Sequence, residues 1–343
     1  MQAHETLMFA EAGDAAAAVE RQISRNEKLV SALAARLRSH LPRFVVTCAR
    51  GSSDHAATFA KYAIETQLGY ATASASLSVS SIYGAPQNLT DALYLVISQS
   101  GQSPDLVRCA KMAHESGAYV VALVNVENSP LAAAADTVIP LQAGAERSVA
   151  ATKSYLGALA AILHLVAHWK NDRTLMQALN ATPDALRSAF EQDWSALVEG
   201  LTDAENLFVL GRGFGLGAAQ EAALKFKETC GLHAEAFSIA EVRHGPMALV
   251  NSHFPILLFS QNDATLNGAL DTAQVFRSRG ARVWTAAPDD THADALPIAA
   301  APHPLCAPML TIQSFYRAVN ALTLARGRNP DMPRYLNKVT ETL

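Results

Sequence analysis

The sequence predicts an α/β protein made of two copies of one unit, each a parallel sheet flanked by helices. Three observations carry this. Short apolar, β-branched runs alternate with helical patterns along the chain, as in strands joined by crossover helices. The alternation repeats: Arg50-Gly51 matches Arg212-Gly213 and Ser98-Gln99 matches Ser260-Gln261, each at an offset of 162, and Gly117 matches Gly280 at 163. A near-constant offset at three landmarks marks an internal duplication. The length of 343 residues also exceeds what one ordinary core serves.

The elements follow in order. Residues 1–40 carry helical patterns and read as an N-terminal helical arm. FVVTC (44–48) is a buried strand, ARGSSD a loop, and HAATFAKYAIETQL a helix. LYLVIS (93–98) is the next strand; the loop QSGQS leads into the helix PDLVRCAKMAHES. AYVVALV (118–124) and DTVIPL (136–141) complete the first set of strands. Residues 41–170 form the first domain and 171–197 a helical linker. The second domain, 198–328, repeats the pattern: LFVLGRGFG (207–215) is a strand and glycine-rich loop, AAQEAALKFKE a helix, and FPILLFSQND and ARVWTAA strands. Residues 329–343 form a C-terminal tail.

Composition narrows the function. Apolar residues make up 50% and charged residues 17%, as in a compact globular chain. The net charge of −4 gives no electrostatic case for nucleic acid. The N-terminus lacks the basic and apolar regions of a signal peptide, and no apolar run is long enough for a membrane helix. The four cysteines are widely spaced without a CxxC, as in reduced, buried thiols. A cytoplasmic protein with no membrane or nucleic-acid partner is expected. No HExxH occurs, and neither a metal nor a cofactor is expected.

Two loops of the first domain sit at the carboxyl ends of strands, where open parallel sheets bind ligands. SQSGQS offers Ser98, Gln99, Ser100 and Ser103 around Gly101, and Pro104-Asp105 then opens a helix. Hydroxyls, an amide and the free N–H groups of a helix start suit an anion; the same residues also suit a polar turn with a cap. Ser52 and Ser53 can add hydroxyls from the neighbouring strand end. The position favours a phosphate monoester. GxxxxGK[ST] is absent, and GRGFG at 211–215 lacks the full dinucleotide spacing.

In KFKETCGLHAEAFSIAEVRHGP (225–246), Lys225 and Glu228 share a helix face with Glu221, within an arc of roughly 60°. By spacing alone this is either acid–base equipment or a surface ion pair worth a few tenths of a kcal/mol. Gly231 is expected to end the helix. Ser238 and Glu241 have capping-box spacing for a new short helix, with His244 at its end beside Gly245-Pro246.

These segments resemble the sugar-isomerase (SIS) family, in particular the isomerase half of glucosamine-6-phosphate synthases. EAALKFKETCGLHAEAFSIAEVRHGP resembles its signature, SQSGQSPD its phosphate loop, AERSVAATKSY (145–155) its EIGVASTK segment, and NPDMPRYLNKVTETL its tail. The likeness runs from about residue 40 to the end and implies two tandem SIS domains with flavodoxin- or Rossmann-like sheets. It implies that Ser52, Ser53, Ser98, Gln99, Ser100 and Ser103 hold a sugar phosphate, and that Val149 and Ala151 contact the sugar. Glu228 would move a proton between C1 and C2, with Lys225 assisting. His244 would open the ring from the neighbouring subunit of a homodimer, and Lys338 would form a Schiff base with the keto sugar.

Two departures bear on the substrate. Arg50 stands where the synthases have a cysteine, and Arg147-Ser148 replaces Ile-Gly. The chain is also expected to carry no glutaminase domain ahead of the repeat. The resemblance therefore leads to a stand-alone deaminase that converts an amino-sugar 6-phosphate, foremost glucosamine 6-phosphate, to a ketose 6-phosphate and ammonia. Alternatives are an aldose–ketose isomerase or deglycase, the isomerase subunit of a glutamine-dependent synthase, and a non-catalytic sugar-phosphate sensor.

Overall fold

A computed structural model describes residues 2–338. The final five residues of the predicted tail lie outside the described residues.

In chain order, the first half holds α1 (Leu7–Gly13), α2 (Ala15–Ser39), β1 (Val45–Cys48), α3 (Ser52–Leu68), β2 (Thr72–Ser74) and α4 (Leu77–Ser81). It continues with β3 (Leu93–Ser98), α5 (Pro104–Glu115), β4 (Tyr119–Val124), α6 (Pro130–Ala133), β5 (Thr137–Pro140) and α7 (Lys153–Lys170). Then come α8 (Arg173–Phe190), α9 (Ser195–Leu201), β6 (Asn206–Gly211), α10 (Gly215–Lys225) and β7 (His233–Ser238). The chain closes with β8 (Pro255–Phe259), α11 (Leu266–Ser278), β9 (Arg282–Ala286) and α12 (Ala307–Ala325).

Two compact units result. One comprises residues 17–146, 153–180 and the tail from 337; the other comprises the first 16 residues, 147–152 and 181–336. The former is called the amino unit below, and the latter the carboxyl unit.

The amino unit contains a five-stranded parallel sheet in the order β2-β1-β3-β4-β5. Every residue of β1 and β3 is buried, which explains their unbroken apolar runs: parallel strands covered on both faces need no alternation. Val46, Tyr94, Val96, Val120 and Leu106 are among the residues of its core. The carboxyl unit holds a second parallel sheet, β7-β6-β8-β9, over a core that includes Phe208, Ile256, Leu258, Phe276 and Val283.

Strand register makes the duplication explicit. Val46 pairs with Ala73 on one side and Tyr94 on the other; Phe208 pairs with Glu235 and Ile256. All three positions are offset by 162, the spacing read from the sequence. Where β5 lies beside β4, the second sheet keeps only a parallel bridge between Thr285 and Ala295.

β2 and β7 were missed by sequence patterning. Both are edge strands with a single buried position each, Thr72 and Ala234, and TAS and HAEAFS lack the β-branched runs that mark central strands. The glycines of GRGFG also find a purpose here. A Cβ on Gly211 would lie 2.5 Å from the Gly215 carbonyl oxygen, and one on Gly215 would lie 2.8 Å from Gln261 Oε1. They allow close strand–helix packing. No helix among the described residues is long and apolar enough to cross a membrane.

Candidate active site

In the amino unit, sheet order reverses between β1 and β3, so the loops that follow these two strands lie side by side. Ser52 and Ser53 open α3 after one strand, and residues 98–103 lead from the other into α5. Both helices begin without a side-chain cap, which leaves their first N–H groups available to an anion. Ser98 Oγ is buried and accepts the Gly101 N–H at 3.0 Å, folding the loop back on the strand. Gly101 has φ +63°, and a Cβ there would fall 2.2 Å from Ser129 Oγ. Only glycine fits. The side chains of Ser53, Gln99 and Ser103 make no hydrogen bond among the described residues, while Ser100 Oγ accepts the Gln102 N–H at 3.2 Å.

Arg50 joins the two loops. Its Nη2 and Nε lie 2.9 and 3.0 Å from Asp105 Oδ2, and the Asp105 side chain is 1% exposed. The residue that departs from the synthase pattern thus neutralises a buried aspartate at the start of α5. Sequence reading missed this pair because its members stand 55 positions apart. Burial pushes the Asp54 carboxyl above its ordinary pKa, with His55 and Arg50 opposing the shift.

In the carboxyl unit, α10 passes directly into a π-helical turn, Phe226–Cys230. Gly231, with φ 57°, ends it as expected. The wider turn carries Glu228 and keeps it on the face of Lys225, and such turns recur at functional sites. Lys225 Nζ is 2.6 Å from Glu228 Oε2 and 3.2 Å from Glu221 Oε1. Tyr316, on α12, donates its hydroxyl to Glu221 Oε1 at 3.1 Å. Lys225 and Glu221 are fully buried, while Glu228 is 21% exposed. The surface ion pair that spacing allows is therefore an interior one. Burial alone would lower the Lys225 pKa. The charges of Glu221 and Glu228 overcome it and hold the ammonium above the ordinary lysine range. Glu228 Oε1 bonds to none of the described residues. The arrangement is a buried, fixed cation that orients one accessible carboxylate.

Val149 and Ala151 lie half-buried in the 147–152 segment of this unit, alternating with buried Ser148, Ala150 and Thr152. Glu11 of α1 organises the segment: its carboxylate accepts the Arg147 N–H at 2.5 Å and the Ser148 N–H at 3.2 Å. Sequence reading passed over Glu11. The available signal was one carboxylate within the apolar run LMFAEAG.

His244 lies on an exposed 3-10 turn, Glu241–His244, before Gly245 at φ 145°. The expected capping box does not form. The N-cap is Ala240, and Ser238 Oγ instead accepts the Ala240 N–H at 3.4 Å, because Ser238 still belongs to β7. Lys338, in the amino unit, places Nζ 3.1 Å from Oε2 of buried Glu146. Ser154 donates both its N–H, at 3.0 Å, and its hydroxyl, at 2.6 Å, to the same carboxylate. Lys227, His233 and Glu235 are exposed.

Both sheets and both loop sets belong to a recurring pattern. The SIS domain family matches residues 42–168 and 200–325, and the chain belongs to that family. It is similar to the glutamine–fructose-6-phosphate aminotransferase (isomerizing) of Sulfurisphaera tokodaii, 32% identical over 86% of this chain and 49% of the relative. The chain therefore spans about half the length of that relative. A Silicibacter pomeroyi DSS-3 structure, provisionally named a phosphosugar isomerase, superposes with a TM-score of 0.91 at 42% identity, covering 95% of this chain and 100% of that one. The C-terminal domain of the glucosamine–fructose-6-phosphate aminotransferase of Francisella tularensis gives 0.84 at 25% identity, covering 96% and 98%.

Proposed function

We propose that the protein is a phosphosugar isomerase that moves a proton between C1 and C2 of a hexose or amino-hexose 6-phosphate. The observation that carries this is the carboxylate of Glu228, oriented by a fully buried lysine and with its second oxygen bonded to none of the described residues. Shuttling a proton between adjacent carbons beside a carbonyl needs one such base over both. Lys225, held protonated between two carboxylates, is an electrostatic support and not an amine nucleophile. Ser52, Ser53, Ser98, Gln99, Ser100 and Ser103 take the phosphate, Val149 and Ala151 contact the sugar, and His244 opens the ring, offered from a second subunit of a homodimer. Lys338 leaves Glu146 and, as the neutral amine, adds to the carbonyl of the open-chain ketose, whose oxygen departs as water to give an imine.

The relatives favour this reading over the hydrolytic deaminase expected from sequence. Their names carry isomerising activity and phosphosugar isomerase, the latter at 42% identity along a whole chain. An amino sugar stays within the substrate class because the named relatives include aminotransferases. The test is a panel of hexose and amino-hexose 6-phosphates, with ketose formation and ammonia release measured in parallel. Isomerisation without ammonia supports the proposal. Stoichiometric ammonia from glucosamine 6-phosphate alone returns the deaminase, and turnover of none of the panel refutes both.

A further inference from the structure

We propose that Glu27, His164 and His168 form a binding site for a transition-metal dication, foremost Zn2+, between α2 and α7 of the amino unit. His164 and His168 stand four residues apart on α7, so their rings share one face. Glu27 faces them from α2. His164 Nε2 lies 3.1 Å from Glu27 Oε2, and His168 Nε2 lies 3.3 Å from the same oxygen. All three donor atoms fall within 4.8 Å of one another. Zinc binds imidazole nitrogen and carboxylate oxygen at about 2.0–2.2 Å, so neighbouring ligands of a tetrahedral site stand roughly 3.3 Å apart. Two edges of that tetrahedron are already formed.

The donor set selects the ion. Two imidazoles and one carboxylate suit zinc and its borderline neighbours and are poor partners for calcium or magnesium, which take oxygen cages. His164 is 3% exposed and His168 11%, whereas Glu27 is 56% exposed. An ion can thus enter past Glu27 and keep a water as its fourth ligand.

Two features limit the affinity. Metal at Nε2 moves the ring proton to Nδ1, and His164 Nδ1 is buried without a partner among the described residues. Dedicated zinc sites satisfy that N–H. Arg38 also brings a positive charge close by, donating to the His168 carbonyl oxygen at 2.5 Å. The site therefore binds zinc more weakly than a dedicated structural site, and it fastens α2 to α7 when loaded.

Without metal, the same geometry serves as two N–H···O bonds to Glu27, so the test must measure metal itself. The full chain, untagged and stripped with EDTA, is titrated with ZnCl2 by calorimetry and with CoCl2 by visible absorption. One site per chain is expected, with a rise in the thermal unfolding midpoint on adding ZnCl2. Glu27→Gln and His168→Ala each weaken Zn2+ binding by at least about tenfold. Glu27 is largely exposed, so its variant keeps the fold, which circular dichroism checks. Absence of saturable binding overturns the proposal. So does wild-type affinity in either variant, which would assign the zinc to others of the 11 histidines.

Discussion

Replacing Glu221 with glutamine tests how the proton-transfer face is held. Glu221 and Lys225 are both fully buried, and Tyr316 is bonded to Glu221. Removing one partner of a buried ion pair costs about 3–5 kcal/mol, because the remaining charge stays in the interior. Here Lys225 keeps Glu228 at 2.6 Å, and the new amide oxygen can still accept from Tyr316, so the loss belongs at the lower end, about 3 kcal/mol. In a unit of this size that lowers the unfolding midpoint by about 6–12 °C. The assay is thermal unfolding followed by circular dichroism and calorimetry. Combining Glu221→Gln with Lys225→Met removes both interior charges, and the double variant should lose less than the two single losses added together. A surface pair contributes at most about 1 kcal/mol. A fall of under about 2 °C in Glu221→Gln, or strict additivity in the double variant, would refute the buried triad.

Further expectations follow from the same geometry. Because the folded pKa of Lys225 is raised above the ordinary 10.5, its contribution to stability is complete below pH 10.5 and is lost as pH rises through the higher folded value; denaturant titrations from pH 7 to 11 check the sign. Gly101→Ala introduces a Cβ 2.2 Å from Ser129 Oγ at a positive φ, so it should destabilise the protein by about 1–3 kcal/mol and weaken sugar-phosphate binding, measured by calorimetry. Arg50→Ala removes the cation beside the buried Asp105, which keeps the Leu106 N–H at 2.8 Å, and should cost about 1–3 kcal/mol, with Arg50→Ala/Asp105→Asn recovering part of it in urea unfolding.

Much of the architecture was legible because central parallel strands leave an unmistakable trace. β3 is LYLVIS in both sequence pattern and structure, since burial on both faces demands an unbroken apolar run. Edge strands leave less, which is why the pattern of HAEAFS predicts no strand. The phosphate loop was legible from residue type and from its place after a strand. The proton-transfer face was legible in direction but not in depth: spacing aligned Glu221, Lys225 and Glu228, yet no local pattern distinguishes a surface pair from one with no exposure. The π turn that carries Glu228 has no sequence marker at all. Glu11 and Arg50 were invisible as positioning residues because their partners lie 136 and 55 residues away, and such contacts appear only once the chain is folded.

The central claim is that Glu228 moves a proton between two neighbouring carbons. It is tested most directly by incubating the protein with fructose 6-phosphate or an amino-hexose 6-phosphate in D2O and following the C1 and C2 protons by NMR. The account predicts deuterium entering at those carbons alone with the wild type, and exchange slowed by about 10²–10⁴-fold in Glu228→Gln while the variant still binds the sugar phosphate. Undiminished exchange in Glu228→Gln, or wild-type turnover with no solvent deuterium and no transfer between C1 and C2, would contradict it.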